Sequence, residues 1–268
     1  MAKTLQENIF TGILEELATY GKTTSPRGLK IIELENFNYV IPPYIRFMNF
    51  ESRKLNLNYI KREFLWYLKG DKFDLSICEH ASMWKDLVNS DGSINSNYGQ
   101  YIFGKQNQFT RVLNTLIKDK ESRRASIIIL NKDHLASNTR DYPCTYSINF
   151  RIRDNKLNMT IRMRAQDCMF GMCNDLPCFS FVHEMMLCSL REYYPSLIYG
   201  SYYHACDSFH VYEKHFKTLN KIVSLTDKFK TIKCPKMFGH QEVMFLKHGD
   251  FKKIPEQFEF TKWLNTFD

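Results

Sequence analysis

Residues 141–175 read DYPCTYSINFRIRDNKLNMTIRMRAQDCMFGMCND. After Pro143-Cys144, apolar Tyr146, Ile148, Phe150 and Ile152 alternate with Ser147, Asn149, Arg151 and Arg153. Beyond Asp154-Asn155, Leu157, Met159, Ile161 and Met163 alternate with Asn158, Thr160, Arg162 and Arg164. A period of two on both sides of a turn predicts an antiparallel hairpin with one core face and one polar face. A merely solvated face does not need four arginines, so this one lines a ligand cleft or meets a partner.

On the C-terminal side, residues 176–193 have the spacing of a long helix, with Phe179, Val182, Met186 and Leu190 inward. Its expected start falls just after Asp175. A strand over 197–212 and a helix over 213–225 follow, and the lysine-rich tail from Thr226 reads as irregular.

On the N-terminal side, Ser122-Arg123-Arg124 precede an expected strand at 125–130. Paired arginines there either fork onto a phosphate or face solvent. A helix is expected near 106–118, after the turn-rich DGSINSNYGQ of residues 91–100. Another is expected over 57–68, with Ile60, Phe64, Leu65 and Leu68 inward and Gly70 ending it. Glu63 sits beside that stripe. It is a solvated neighbour or, half-buried, a carboxyl of raised pKa that handles protons. Two strands are expected at 29–34 and 37–41, after a loop in which Arg27, Gly28 and Lys30 form a plain turn or a phosphate cradle. Leu5, Ile9, Phe10, Ile13, Leu14 and Leu17 predict an amphipathic helix over 4–20.

At 268 residues and 44% apolar, the chain suits one domain over 1–268. Its apolar runs fall far short of the roughly 20 residues that cross a bilayer. Without the compact apolar segment of a signal peptide, a cytoplasmic location is expected. The eight cysteines contain no CxxC pair, so they suggest neither a disulfide framework nor a metal site. A formal charge of +8 suits an anionic ligand, while no basic module or stripe points to direct nucleic-acid binding.

Several separate motifs agree in order with one family. Arg62-Glu63 with Leu65-Trp66-Tyr67, then Trp84, Ile94-Asn95-Ser96-Asn97-Tyr98-Gly99, Ser122-Arg123-Arg124, Pro143-Cys144, Arg164 through Gly171, and His210-Val211-Tyr212 resemble the thymidylate synthase family over residues 25–218. They are most similar to its phage branch, the deoxycytidylate hydroxymethylases. The resemblance implies an α+β fold, with a large twisted mixed sheet flanked by helices and packed back to back in a homodimer. It implies a pyrimidine nucleotide as substrate, 5,10-methylenetetrahydrofolate as co-substrate and no metal.

Carbon 5 of a pyrimidine becomes nucleophilic once a soft nucleophile adds at carbon 6. By resemblance Cys144 is that nucleophile, with arginines such as Arg164 expected to lower its pKa. Glu63 would organise water and proton transfers, and Tyr98 would stand near the carbon 5 proton. Asp167, Gly171 and Trp84 would form the folate side. Arg27 and Arg164, with Arg123 and Arg124 from the neighbouring subunit, would hold the phosphate, and His210 and Tyr212 the ribose.

Asp175 occupies the position where thymidylate synthases carry asparagine. An asparagine amide both donates and accepts and so reads uracil, whereas a carboxylate only accepts and suits the amino group of cytosine. A dCMP 5-hydroxymethylase is therefore expected. A dCMP 5-methyltransferase, a CMP hydroxymethylase and a non-catalytic nucleotide- or RNA-binding relative are the alternatives. Thr145 after the nucleophile fits the hydroxymethylase branch. Ala165 departs from the family's phosphate-binding serine, and the end, Trp263 to Asp268, lacks the synthases' usual closing tail.

Overall fold

The computed structural model describes residues 3–135 and 141–267, so Asp268 lies outside the described residues. Its central hairpin joins β4 (Thr145–Arg153) to β5 (Lys156–Met163) through Asp154 and Asn155, both at positive φ. Asp and Asn adopt that conformation more readily than other residues with a side chain, which suits a two-residue turn. Ile148, Phe150, Ile152, Leu157, Met159, Ile161 and Met163 are all buried, as their alternation predicts.

Tyr146 breaks that expectation. The register shifts between Thr145 and Ser147, and one extra residue turns a side chain to the other face. Tyr146 is 37% exposed and donates to Asp207 at 2.8 Å, while Ser147 is buried.

Five more strands complete the sheet: β1 (Lys22–Thr24), β2 (Ile31–Ile41), β3 (Ser126–Ile128), β6 (Gln166–Asp167) and β7 (Ile198–Tyr212). The order is β1-β2-β7-β5-β4-β3, with β6 also pairing β7. β7 runs antiparallel to β2 and parallel to β5 and β6, so the sheet is mixed. The two strands expected within 29–41 are one. Asn36, at φ 53, interrupts the β2 ladder, which resumes in the same register at Phe37. The strand expected over 125–130 shortens to β3, whose edge is closed by the Gln108 side chain bonded to Ile128 N and O at 2.9 Å each.

Parallel pairing of β5 with β7 requires a crossover, and α5 (Gly171–Leu190) supplies it. This helix starts five residues before the expected 176, which places Asp175 inside it. Pro177 stands inside the helix, in its second turn. Seventeen of its twenty residues are buried, so it has no solvent face to mark its periodicity.

Around it lie α1 (Leu5–Tyr20), α2 (Leu57–Lys69), α3 (Gly99–Ile102), α4 (Gln108–Lys118) and α6 (Phe216–Val223). Asn56 caps α2 by accepting from Tyr59 N at 2.9 Å, and left-handed Gly70 ends it. The tail is more ordered than its composition suggests, for it holds α7 (His240–His248) and α8 (Glu259–Leu264). Buried Glu242 joins them by accepting from Phe238 N at 2.6 Å and from Thr261 N and Oγ1 at 2.8 Å each. Buried Glu184 of α5 pairs with Arg46 and accepts from Met237 N at 3.0 Å, fixing the tail to the core.

The opposite sheet face carries Asn38, Val40, Thr160, Arg162, Tyr203 and Ala205 in a shallow depression. Val40 and Tyr203 are exposed there. Among the described residues no helix is long and apolar enough to cross a membrane.

Candidate active site

The hairpin brings its two outer ends together. Arg164 N donates to Cys144 O at 2.8 Å, and the Arg164 side chain donates from Nε to Pro143 O at 3.0 Å and from Nη2 to Tyr142 O at 2.7 Å. A guanidinium held in this way is a fixed positive charge beside the Cys144 thiol. It pulls the thiol pKa down, and Arg27 does so further, but burial together with Asp175 and Asp141 pushes the other way and wins. The net shift is upward, contrary to the expectation from the arginines alone. A buried thiolate costs solvation that one adjacent and one more distant charge do not recover.

α2 delivers Glu63 to the same place. Its inner face is buried, so Glu63 is only 4% exposed, and burial reinforced by Asp175 raises its pKa to about 8. Tyr59 and Tyr67 flank it at i−4 and i+4, and Tyr67 donates to Oε1 at 3.4 Å. Oε2 is buried and has no protein partner. Tyr59 also accepts from Trp84 Nε1 at 2.8 Å, which ties Trp84 to this wall.

Tyr98 packs between Tyr67 and Phe179, each ring 5.8 Å away. It lies in the fields of Cys144 and Asp175. Its loop is clamped to the segment carrying Cys144, because Asp141 accepts from Ser96 N at 2.6 Å and Ser96 Oγ at 2.5 Å, and Asn95 donates to Asp141 O at 3.0 Å.

The turn from β6 into α5 completes the site. Asp167 accepts from Met169 N and Phe170 N at 3.0 Å each, capping that turn while remaining partly exposed. Asp175 lies one helical turn beyond Gly171. Burial and the Asp167 charge raise its pKa to about 7, against a lowering hydrogen bond from Gln166. A Cβ added at Gly171 would come 3.4 Å from Asp175 Oδ2 and 3.4 Å from Gln166 Cγ, with no backbone in its way. The fold therefore tolerates a methyl group there, in contact with Asp175 and Gln166.

Cys144, Glu63, Tyr98 and Asp175 thus share one locus, in which Glu63 and Tyr98 are buried and Cys144 and Asp175 half-buried, with Arg164 at its edge. His210 is buried, pairs with Asp167 across β6 and β7, and meets Tyr212 edge-on at 5.1 Å. The Arg27 loop adjoins the end of β7, where Glu213 N donates to Lys30 O at 3.0 Å. Arg123 and Arg124 are exposed and stand elsewhere. Neighbouring Ala125 accepts from Phe150 N, six residues along β4 from Cys144, about 20 Å at strand rise.

Spacing along α2 could have revealed Tyr59 and Tyr67. Gln166 and Asp141 gave no such signal, because their partners lie far off in sequence.

Comparison with known proteins places the chain in a family. The family model described as Thymidylate synthase matches residues 13–252. A deoxycytidylate 5-hydroxymethyltransferase of Enterobacteria phage T6 is 32% identical over 199 residues, covering 70% of this chain and 78% of that protein. The same enzyme of Enterobacteria phage T4 matches to the same extent. A deoxyuridylate hydroxymethyltransferase of Bacillus phage SP01 is 27% identical over 221 residues, covering 76% of this chain and 56% of that protein. The chain is an enzyme of the thymidylate synthase family.

Proposed function

We propose that this chain is a single catalytic domain that transfers a one-carbon unit to carbon 5 of dCMP and adds water, giving 5-hydroxymethyl-dCMP. The observation that carries this reading is the half-buried Asp175 carboxyl, in one locus with Cys144, Glu63 and Tyr98. In that position a carboxylate accepts from the amino group of cytosine. Facing uracil, it meets a carbonyl oxygen and loses a buried hydrogen bond, at about 1–3 kcal/mol.

Cys144 Sγ bonds to carbon 6 of the ring, the C5=C6 electron pair moves onto carbon 5 and toward the ring nitrogen that Asp175 faces, and the thiol proton ends on that nitrogen; once water has added, the C6–S bond breaks and the proton returns to sulfur. Burial holds the thiol protonated in the free protein, so its proton is given up as the bond to carbon 6 forms. Glu63 holds the proton balance. Its unpartnered Oε2 is a site for the water that becomes the product hydroxyl, and a carboxyl titrating near 8 both gives and takes protons at neutral pH. Tyr98 stands by the carbon 5 proton, and His210 and Tyr212 hold the ribose.

The surroundings of Asp167 suit a folate. Gly171, without a side chain, lets a flat ring approach the backbone beside Asp167, and Trp84 would line that side. Exposed Phe170 lies under Arg53 at 4.9 Å and Lys214 at 5.1 Å, cations suited to a carboxylate tail. When bound, methylenetetrahydrofolate supplies the one-carbon unit.

The protein acts as a homodimer through its uncovered sheet face, which carries Arg123 and Arg124 to the partner's phosphate site.

Incubation with dCMP and methylenetetrahydrofolate, followed by mass analysis of the nucleotide and an assay for dihydrofolate, tests this. A gain of CH2O without dihydrofolate is expected. A gain of CH2 with dihydrofolate would make the enzyme a methyltransferase. Conversion of dUMP beside unchanged dCMP would overturn the role of Asp175.

A further inference from the structure

Beneath Asp175 lies a buried polar chain that the mechanism above does not use. Tyr39, near the C-terminal end of β2, donates its hydroxyl to Gln166 Oε1 at 2.8 Å. The Tyr39 ring stacks on His204 at 4.7 Å and 6°, and Tyr202 Oη lies 3.1 Å from His204 Nδ1, so the donor itself cannot swing. With Oε1 committed, the Gln166 amide nitrogen is turned the other way. There it meets the thioether of Met163 at 3.6 Å, a weak acceptor, and it lies close enough to the Asp175 carboxyl to favour the ionised form. A Cβ at Gly171 would meet Asp175 Oδ2 and Gln166 Cγ at 3.4 Å each, so the two side chains stand next to one another in front of that glycine.

We propose that Gln166, oriented by Tyr39, is a positioning residue that decides how Asp175 presents its two oxygens to the pyrimidine, and hence which base is accepted. The inference rests on the dCMP reading above. An oxygen that receives an N–H from Gln166 must act as an acceptor, so any proton on Asp175 sits on the other oxygen. An ionised Asp175 accepts from the 4-amino group and from a protonated ring nitrogen of cytosine. A neutral carboxyl that is free to turn can also donate to the uracil carbonyl while accepting from the ring N–H, and it reads both bases. By donating, Gln166 favours the ionised form and fixes its orientation, which selects cytosine.

Several other groups face Asp175. Asp167 does so from β6, and Glu63, Tyr59 and Tyr67 from α2. Cys144 and Tyr98 face it from the segments ahead of β4 and α3, and Tyr39 and Tyr202 from the sheet. Cys173 and Cys178 belong to its own helix. Burial pushes these tyrosines and cysteines upward, so Glu63, at about 8, is the neighbour that ionises close to Asp175. Labelling only the aspartate carboxyl carbons separates the two.

The experiment titrates 13C-aspartate protein by NMR, with Asp175→Asn identifying the signal. Tyr39→Phe keeps the stacked ring and removes only the hydroxyl, and Gln166→Met keeps the length and removes the donor. Asp175 should titrate near pH 7 in the wild type and about one pH unit higher in each variant. In the same variants the ratio of dCMP to dUMP affinity should fall about tenfold. An unmoved titration in both folded variants, beside intact dCMP binding by the wild type, overturns the inference alone. Binding of neither nucleotide by the wild type overturns the substrate reading, and base selection by Gln166 with it.

Discussion

Glu63 holds its proton against the ordinary preference of a carboxyl, and this has a consequence for stability. In the unfolded chain it ionises near 4.5, whereas in the fold it does so near 8. Over that interval the folded state binds the extra proton, so the group's contribution is intact below 4.5 and is lost as pH rises toward 8. Glu63→Gln removes the ionisable group at nearly constant shape. It should leave stability unchanged at pH 4 and raise it by about 3 kcal/mol at pH 7, an upper figure for so enclosed a group. Thermal melts of both proteins across pH 4–8 read this directly, and a constant difference would refute the assignment. Turnover should collapse in the same variant, the expected trade between activity and stability. Cys144 makes the complementary case. Cys144→Ser should abolish product while dCMP affinity stays within about threefold, since the proposed function puts binding on Arg164, Asp175 and the ribose contacts. Retained turnover would remove Cys144 from the chemistry.

Two glycines in the recognised motifs serve different elements, and substitution should separate them. A Cβ at Gly99 would stand 2.0 Å from Tyr67 O, so the start of α3 crosses the end of α2 backbone to backbone. This contact sets Tyr98 against the face of α2 that carries Glu63. Gly99→Ala should cost about 2 kcal/mol or more, by forcing those backbones apart, and should lower kcat with it. Gly171→Ala puts its methyl into ordinary contact distance at the first turn of α5. It should leave the melting temperature unchanged or slightly raised, and increase KM for the folate at least tenfold. Equal loss of stability in both variants would contradict this division. The hairpin and α2 were legible in the sequence because each has one wet face, which writes its period into the residues. α5 was misplaced because it is buried on all sides, and Tyr146 because a bulge adds a residue that no periodicity announces. In the site, Cys144, Glu63, Tyr98 and Asp175 were each legible through their motifs. Gln166 and Tyr39 were not, since 127 positions separate the partners of their hydrogen bond.

The whole molecule has an asymmetry that the single chain leaves open. Helices cover one face of the sheet, while the other exposes Val40, Tyr203 and Arg162 around a shallow depression. Arg123 and Arg124 lie far along β4 from the thiol they are expected to serve. A two-fold pairing of the bare faces answers both facts, because an isologous contact buries the apolar part of the face and carries each arginine pair across the interface. The consequence is testable by mixing two inactive proteins. Cys144→Ser lacks the nucleophile in both sites of its dimer. The double variant Arg123→Ala, Arg124→Ala lacks the phosphate contact in both sites of its own. After unfolding and joint refolding, half of the dimers should be mixed, each with one site that draws Cys144 from one chain and the arginines from the other. Activity should return to about one quarter of the wild-type value in the random mixture, with a wild-type KM for the nucleotide. Arginines acting within their own chain would leave every site defective, and the mixture would stay as inactive as its parents.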